Sequence, residues 1–362
     1  MKMRVLIVTF WIGLFFGFLF LPSLKNLLYP AHGINILAWP DMVDFETVSK
    51  FEKETGIKVN VSYYENNEEL YARLRLTRGE GYDLMTITDN AVNYLREQNF
   101  LKKVDKSKLS FWSEIDNHFT GHYFDPNNDY SIPYNWDLYG LGVSNEYLKE
   151  KKPKPSWSLI FDESIAPRVS MIEDSYDAVS IAAQYLYGSI ENLTEDKLQG
   201  ITKLLIKQKK WVEAYTDLRA DYFLSLGICP VMIGQSAYIY RANKSDDEED
   251  EKPKENEFSF LIPQEGGFFM IDSLVIPAQS TKEDYVYKFI NYLYQEDQVK
   301  GFYENFGYLP VMKKLLHSVN LDYINEPLDE ILKPEKFAKF SPLKRELPAS
   351  RISKLWIEVK SY

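Results

Sequence analysis

Apolar and polar positions alternate along the first third of the chain in a way that predicts strands and helices in turn. Residues 34–39, 57–63 and 82–88 have the short apolar runs or the strict alternation that are typical of strands. The stretches between them have apolar residues at helical spacing, and two of these helices should end at Gly56 and Gly79. Strands that alternate with helices indicate an α/β layer with a largely parallel sheet.

A second α/β region is predicted to begin near Leu138. Residues 169–172 form an apolar run that predicts a strand, and residues 178–186 predict a helix that ends at Gly188. The spacing of apolar residues in residues 286–293 predicts an amphipathic helix late in the chain. The chain has 362 residues, which is long enough for two domains that each have their own core.

The N-terminal apolar run predicts export. Residues 5–24 contain no charged residue, follow Lys2 and Arg4, and precede Lys25. The run is just long enough to cross a bilayer, so it predicts either a retained signal anchor or a cleaved signal peptide within residues 1–32. The basic flank should stay in the cytoplasm, which places the rest of the chain outside and tethers it there if the run is retained.

Composition and charge narrow the class of function. The formal net charge of −11 argues against nucleic-acid binding and is compatible with a cationic ligand. Aromatic residues are abundant (22 Phe, 26 Tyr and 7 Trp), which favours stacking against a ligand. Cys229 is the only cysteine, so the chain has no disulfide framework, and this residue is predicted to lie in the core. The acidic stretch 246–251 is predicted to be a solvated loop.

Signatures of catalysis and of metal binding are incomplete. Residues 234–238, Gly-Gln-Ser-Ala-Tyr, resemble the turn that carries a nucleophilic serine but end in tyrosine instead of glycine. His118 and His122 have the spacing of a metal-binding pair without the glutamate that accompanies it. Gly266 and Gly267 lack the rest of a nucleotide-binding signature. The sequence therefore predicts a protein that is not an enzyme and that has neither a metal site nor a cofactor.

Three carboxylates are the strongest candidates for a binding site. Asp174 and Asp177 lie three residues apart at a predicted helix start, where they share a face and the helix dipole keeps them ionised. They can hold an ammonium group through charge-assisted hydrogen bonds, and helix capping is the alternative for the same spacing. Trp39 and Thr88, like Asp174, end predicted strands, where the ligands of open α/β sheets bind. Asp272, which follows an apolar run, is the third carboxylate.

Short blocks of sequence carry a resemblance to a known family. The most specific is residues 124–136, Phe-Asp-Pro-Asn-Asn-Asp-Tyr-Ser-Ile-Pro-Tyr-Asn-Trp, whereas the block at 51–59 is of a kind that many solute-binding proteins share. The other blocks are residues 82–84, 104–109, 263–267, 272–277 and 307–308. From Ile34 to about Met312, the blocks resemble the spermidine/putrescine-binding proteins of bacterial polyamine ABC importers, which are extracellular solute-binding proteins.

The resemblance implies an α/β, two-lobed periplasmic-binding-protein fold of type II-like topology, with a ligand cleft between the lobes. The implied first lobe is residues 34–140 plus 270–315, and the second is residues 141–269 plus 316–362. The implied function is that of a monomeric receptor in the periplasm, which captures a polyamine and delivers it to the permease subunits of an ABC importer. Neither nucleic acid nor a cofactor is expected as a partner.

The resemblance also implies which residues bind the ligand. They are Trp39, Thr88, Asp174, Asp177, Asp272 and Tyr308. Four further residues are expected to line the site where the family has tyrosine or tryptophan: Met42, Asn90, Ile233 and Met270. A glutamine that the family has late in the chain has no position that the sequence identifies.

These departures leave two alternatives open. The same fold can bind a different cationic or amine solute, because the replaced aromatic residues change the walls of the expected site. A signalling or scaffold protein that has lost transport is the second alternative.

Overall fold

A computed structural model describes most of the chain. The described residues are 32–216, 220–244, 256–345 and 347–362, with Trp11, Gly13 and Gly17. The predicted N-terminal segment 5–24, apart from these three residues, and the acidic stretch 246–251 lie outside the described residues. Within the described part, no helix is both long enough and apolar enough to cross a membrane.

One mixed sheet of eleven strands runs through the described part of the molecule. The strands are β1 (Gly33–Ala38), β2 (Lys58–Tyr63), β3 (Leu84–Thr88), β4 (Ser131–Ser144), β5 (Val169–Met171), β6 (Val212–Tyr215), β7 (Val231–Gln235), β8 (Phe258–Leu261), β9 (Phe268–Val275), β10 (Leu309–Pro310) and β11 (Ser341–Pro342). The order is β2-β1-β3-β9-β4-β7-β5-β6, with β8 and β10 paired to β4 and β11 paired to β9.

The predicted strands are present, but the sheet is parallel mainly towards its ends, with one short parallel pair, β9 and β11, at the centre. The strands β1, β2 and β3 pair in parallel, as do β5, β6 and β7. The long strands β4 and β9 pair with each other, and β9 with β3 and β4 with β7, in antiparallel fashion. The prediction of a largely parallel sheet is therefore wrong at the centre, where these two strands join the two halves.

Helices cover the sheet and follow the predicted order. They are α1 (Phe45–Thr55), α2 (Asn67–Thr77), α3 (Asp89–Glu97), α4 (Asn145–Lys151), α5 (Ser158–Phe161), α6 (Ser175–Tyr187), α7 (Glu195–Gln208), α8 (Ala220–Ser225), α9 (Ser236–Asn243), α10 (Glu283–Leu293), α11 (Glu296–Phe306), α12 (Lys313–Leu316), α13 (Leu328–Ile331), α14 (Pro334–Phe337) and α15 (Ala349–Ser361). Asp44 caps the start of α1, and Gly56 ends it with a φ of 71°, as its sequence predicts.

Two apolar cores divide the molecule into two lobes. The first core contains Phe51, Phe119 and Phe289 and packs against β1, β2 and β3. The second core contains Trp157 and Phe161 and packs against β5, β6 and β7. We call these halves the first lobe and the second lobe. Their exact boundaries along the chain stay a prediction.

Strands β7 and β8 contribute to both cores. Met232 and Phe260 belong to the first core, whereas their neighbours Ile233 and Leu261 belong to the second. Successive side chains of a strand point to opposite faces of the sheet, so one strand can serve a core on each side. The two lobes are thus joined by shared strands as well as by β4 and β9.

The single cysteine lies in the interior, as predicted. Cys229 is buried and has no disulfide partner. Burial raises the pKa of the Cys229 thiol to about 11. The thiol is therefore protonated at neutral pH and poorly reactive.

Candidate binding site between the lobes

A cavity of about 260 Å³ lies between the two lobes. Its lining includes all but one of the residues that the sequence singles out. These are Trp39, Met42, Thr88, Asn90, Asp174, Asp177, Met270, Asp272 and Tyr308. They come from both lobes and from the carboxyl ends of β1, β3 and β5, where ligands of α/β sheets bind.

Ile233 is the predicted residue that does not line this cavity. Its side chain is 1% exposed, belongs to the second core and pairs with Leu141 across β4 and β7. Gln235, two residues further along β7, lines the cavity instead. Side chains two residues apart on a strand point to the same face of the sheet. The prediction therefore has the correct face of β7, but the residue that lines the cavity is Gln235 instead of Ile233.

Asp272 is a buried carboxylate without an internal partner. It lies on β9 between Thr88 of β3 and Asn135 of β4, and it is 5% exposed. Among the described residues, no hydrogen bond or ion pair reaches its carboxylate. Burial, followed by the nearby carboxylates of Asp89 and Asp137, raises the pKa of Asp272 well above its usual value. A cation in the cavity would offset this cost.

Asp89 and Asp137 are a second layer of carboxylates behind Asp272. Burial raises the pKa of each to about 7. Asp137 accepts hydrogen bonds from the Ser236 hydroxyl and from the backbone N–H groups of Ala237 and Leu138. Asp89 accepts one from the N–H group that follows it. Asp89 follows the end of β3 and Asp137 lies in the middle of β4, and no sequence motif assigns a ligand to either residue.

Aromatic rings flank the cavity near Asp272. The ring of Trp39 packs against Tyr64, with centroids 4.7 Å apart. On the other side, Tyr308 is buried, and the guanidinium carbon of Arg241 lies 5.5 Å from its ring centroid and 4.9 Å from that of Tyr238. Trp39 and Tyr308 thus form apolar walls for an alkyl chain. Because Arg241 already lies over the ring of Tyr308, which stacks on Phe302, the ring of Trp39 is the one that a ligand cation can contact.

Amide side chains add hydrogen-bond acceptors to the lining. Asn67 donates to the Asn90 side-chain oxygen at 3.2 Å, and Gln235 donates to the Met270 sulfur at 3.0 Å. The remaining side-chain oxygens of Asn67 and Gln235 are buried and, among the described residues, have no hydrogen-bond partner. An ammonium group, which only donates, would satisfy such acceptors.

Asp174 serves two structural purposes at the other end of the cavity. Its Oδ1 atom accepts from the backbone N–H groups of Tyr176 at 2.8 Å and Asp177 at 3.2 Å, so it caps α6. Helix capping, the alternative from the sequence, is therefore confirmed for Asp174. Its Oδ2 atom accepts from Arg345 at 2.7 Å. The sequence does not predict this second contact, with Arg345.

Arg345 is the functional candidate that the sequence misses. It follows β11 and brings a guanidinium group to the carboxylates of Asp174 and Glu68 and to within 4.8 Å of the Tyr176 ring centroid. Burial lowers the pKa of Arg345, but the carboxylates of Asp174, Asp177 and Glu68 together outweigh burial and raise the pKa above its usual value. No local motif marks this residue, because its partners are far away in the sequence.

The fold and the cavity define a class of protein, the two-lobed α/β solute-binding proteins that hold a ligand between their lobes. The chain belongs to the bacterial extracellular solute-binding protein family, whose model matches residues 46–325. The two-lobed fold that the sequence implies is confirmed. This is a family of solute-binding proteins rather than of enzymes.

Among named relatives, the spermidine/putrescine-binding periplasmic protein of Escherichia coli (strain K12) is 32% identical over 273 residues, which is 75% of each chain. The putrescine-binding periplasmic protein PotF of the same organism is 28% identical over 366 residues, covering 96% of this chain and 97% of its own. The resemblance that the sequence blocks indicate is therefore confirmed.

Solved structures agree on the fold. A putative spermidine/putrescine ABC transporter protein from Listeria monocytogenes superimposes with a TM-score of 0.77 at 23% identity, covering 92% of this chain and 100% of its own. The spermidine/putrescine ABC transporter substrate-binding protein PotD from Streptococcus pneumoniae gives a TM-score of 0.76 at 20% identity, covering 92% and 99%. Both comparisons extend over almost the whole described chain.

Proposed function

We propose that this protein is the solute receptor of an ABC importer, that it captures spermidine or putrescine between its lobes, and that it delivers the polyamine to the permease. The observation that carries the proposal is Asp272, a buried carboxylate that lines the cavity and that, among the described residues, has no ion-pair partner. A buried charge that lacks a partner is costly, and a bound ammonium is the group that compensates it.

The cavity walls suit the rest of a polyamine. Trp39 and Tyr308 contact the methylene groups, and the ring face of Trp39 attracts the ammonium, a contact that contributes about 0.5–2 kcal/mol. Asn67 and Gln235 offer the acceptors described above. Asp174 and Asp177 form the acidic wall at the far end of the cavity. In this proposal no bond is made or broken, and the receptor is not an enzyme.

The names of the relatives support the choice of ligand class. The Escherichia coli proteins are named for binding spermidine and putrescine, and a protein of Pseudomonas aeruginosa that is 25% identical over 91% of this chain is named for putrescine and agmatine. All of these ligands are linear aliphatic cations. The proposal extends this ligand class to the present chain.

Lobe closure would couple binding to transport. Residues of both lobes line the cavity, so a ligand that contacts both favours the closed form, and only the closed form would dock productively on the permease. We place the receptor in the periplasm as a monomer, held at the cytoplasmic membrane if residues 5–24 are retained as an anchor.

A different cationic or amine solute is the second candidate. The cavity is lined by Met42, Asn90 and Met270 at positions where the resemblance implies aromatic residues in the family. Arg345 adds a positive charge of the protein itself to the lining. The loss of aromatic contacts lowers the affinity for a polyamine, because a loss of only about 1.4 kcal/mol in binding free energy lowers the affinity tenfold.

Calorimetric titration of the purified full-length chain, in a mild non-ionic detergent and moderate salt, tests the proposal. We expect saturable one-to-one binding of putrescine or spermidine, and a loss of at least 100-fold in affinity for Asp272→Asn. Absence of heat with both ligands, from a protein that unfolds cooperatively on heating, would contradict the proposal. An unchanged affinity in Asp272→Asn would contradict the role of this residue.

A further inference from the structure

Arg345 joins the two lobes across the cavity. Its backbone belongs to the second lobe, because Leu343 and Leu347 on either side pack into or against the second core. Its Nη2 atom lies 2.7 Å from Oδ2 of Asp174 in the second lobe, and its Nη1 atom lies 3.3 Å from Oε1 of Glu68 in the first lobe. The protein therefore supplies its own cation at the place where its acidic residues from both lobes converge.

This internal cation changes what the far end of the cavity can accept. One oxygen of Asp174 accepts from backbone N–H groups at the start of α6, and the other accepts from Arg345. A second ligand ammonium would have to displace the guanidinium or lie beside it, and like charges that are close together repel. At the near end, by contrast, no ion pair reaches the carboxylate of Asp272 within the described residues. Arg241, the guanidinium at that end, lies over the rings of Tyr238 and Tyr308 and donates to the Phe306 carbonyl.

The Nε–H donor of the guanidinium is a further feature of this end of the cavity. The Nε atom of Arg345 is buried and, within the described part of the chain, has no hydrogen-bond partner. Arg345 lines the same cavity as Asp272. A buried unpaired donor is costly, and a ligand atom that accepts a hydrogen bond would satisfy it.

The charge balance around Arg345 indicates a neutral acceptor. The carboxylates of Glu68, Asp174 and Asp177 all act on its guanidinium, so three negative charges surround one positive charge. A ligand carboxylate would be repelled by this surplus. An ammonium would be attracted by it but has no acceptor to offer the buried Nε donor, whereas an amide carbonyl carries no net charge and accepts from the Nε atom.

We propose that Arg345 takes the place of one ligand cation, so that the preferred ligand is a linear amine with one terminal ammonium at Asp272 and a neutral acceptor at Arg345. A mono-N-acetylated diamine is the simplest member of this class. The inference rests on the proposed function, because it assumes that an amine occupies this cavity. It makes Arg345 the residue that selects between singly and doubly charged amines.

The test compares two ligands with the same spacing between their nitrogen atoms on matched variants of the full-length chain. N-acetylputrescine and putrescine share a four-carbon spacing and differ in the charge of one end. We expect the unaltered protein to bind N-acetylputrescine at least tenfold more tightly, Arg345→Gln to reverse this order, and Arg345→Lys to restore it. Arg351→Gln is the control, since Arg351 lies in the same C-terminal region, in an ion pair with Glu195 at the surface.

Two outcomes would overturn the inference alone. The first is tighter binding of putrescine by the unaltered protein with the same ratio in Arg345→Gln, which would leave the polyamine receptor in place. The second is tighter binding of 4-aminobutyrate than of N-acetylputrescine, which would show that the far end accepts an anion. If no amine binds the unaltered protein, the proposed function and the inference are both wrong. Cooperative thermal unfolding of each variant shows that it is folded.

Discussion

At the scale of single residues, Asp272 shows a conflict between stability and binding. Its carboxylate is buried and its pKa is raised by burial and by two neighbouring carboxylates. A raised folded-state pKa means that the folded protein binds the proton more tightly than the unfolded chain does. The contribution of Asp272 to the free energy of unfolding is therefore largest at acidic pH and falls as pH rises from about 4 through the folded-state pKa.

Replacing this charge should stabilise the ligand-free protein. Asp272→Asn keeps the size of the side chain and removes the charge, so we expect the free energy of unfolding at pH 8 to rise by about 1–3 kcal/mol. At pH 4, where the carboxyl group is protonated, the difference should be small. Urea denaturation at both pH values measures this. An equal or lower stability of the variant at pH 8 would contradict the account.

Ligand binding should release a proton at pH values where Asp272 is protonated in the ligand-free protein. The carboxylates of Asp89 and Asp137 raise the pKa of Asp272, and the hydroxyl groups of Tyr64 and Tyr308 lie close by. An ammonium beside Asp272 lowers its pKa, so the affinity should rise as pH increases from the ordinary pKa of a carboxyl group up to the raised pKa of Asp272 and then level off. Calorimetry in phosphate and in Tris, whose ionisation enthalpies differ, measures the released proton. Identical heats in the two buffers would contradict the prediction.

The sequence predicts the near end of the cavity better than the far end. Trp39, Thr88 and Asp272 end or lie in strands with clear patterns, and the family resemblance supplies their roles as predictions. Arg345 was not predictable, because it meets Asp174 and Glu68 only through the tertiary fold, 171 and 277 residues away. A single arginine in a weakly patterned C-terminal segment carries no local signal of such a contact.

At the scale of elements, the end of α11 sets the position of Tyr308. The helix ends at Gly307, whose φ is 77°, and a Cβ atom there would lie 2.6 Å from Cδ1 of Tyr240. Only glycine adopts this left-handed conformation without cost, and no other residue fits against the tyrosine ring. The packing thus explains why glycine stands before Tyr308, in a sequence block that also carries the family resemblance.

Gly307→Ala should therefore lower the free energy of unfolding by about 1–3 kcal/mol and weaken ligand binding through a shift of Tyr308. Gly301→Ala is the matched control in the same helix, where a Cβ atom would have nothing within 4 Å. That control should raise stability by up to about 1 kcal/mol, because alanine is the better helix former. Urea denaturation of both variants measures the difference. Equal effects of the two substitutions would contradict this explanation.

Element order was predictable where it depends on local patterns. Alternation and helix stop signals place β1 to β3 and their helices close to the observed bounds. The antiparallel centre was not predictable, because β4 pairs with β9 across more than one hundred residues of chain. Strand direction at the join between the lobes is a property of the whole fold and not of any one segment.

At the scale of the whole molecule, Arg345 acts on the relative position of the lobes. Its guanidinium contacts Glu68 of the first lobe and Asp174 of the second, so it favours the closed form even before a ligand binds. Such a contact shifts the equilibrium only by the difference between its free energies in the open and closed forms. The ligand-free protein should therefore populate the closed form more than it would without this contact.

Removing this contact should open the ligand-free protein. We expect Arg345→Gln to have a larger radius of gyration than the unaltered protein without ligand, and the difference to shrink when ligand is saturating. Small-angle X-ray scattering measures both states, with Arg351→Gln as the control. A ligand-free Arg345→Gln protein with unchanged scattering would show that the bridge does not hold the lobes together.

The buried thiol has a practical consequence for optical measurements. Cys229 is the only cysteine in the sequence, it is buried, and its pKa of about 11 leaves little thiolate at neutral pH. Maleimide dyes should therefore leave the unaltered protein almost unlabelled. One surface cysteine added to each lobe would then carry a fluorescent donor and acceptor without replacement of any natural residue. The natural protein can therefore serve directly as the scaffold of a fluorescent biosensor for its own ligand.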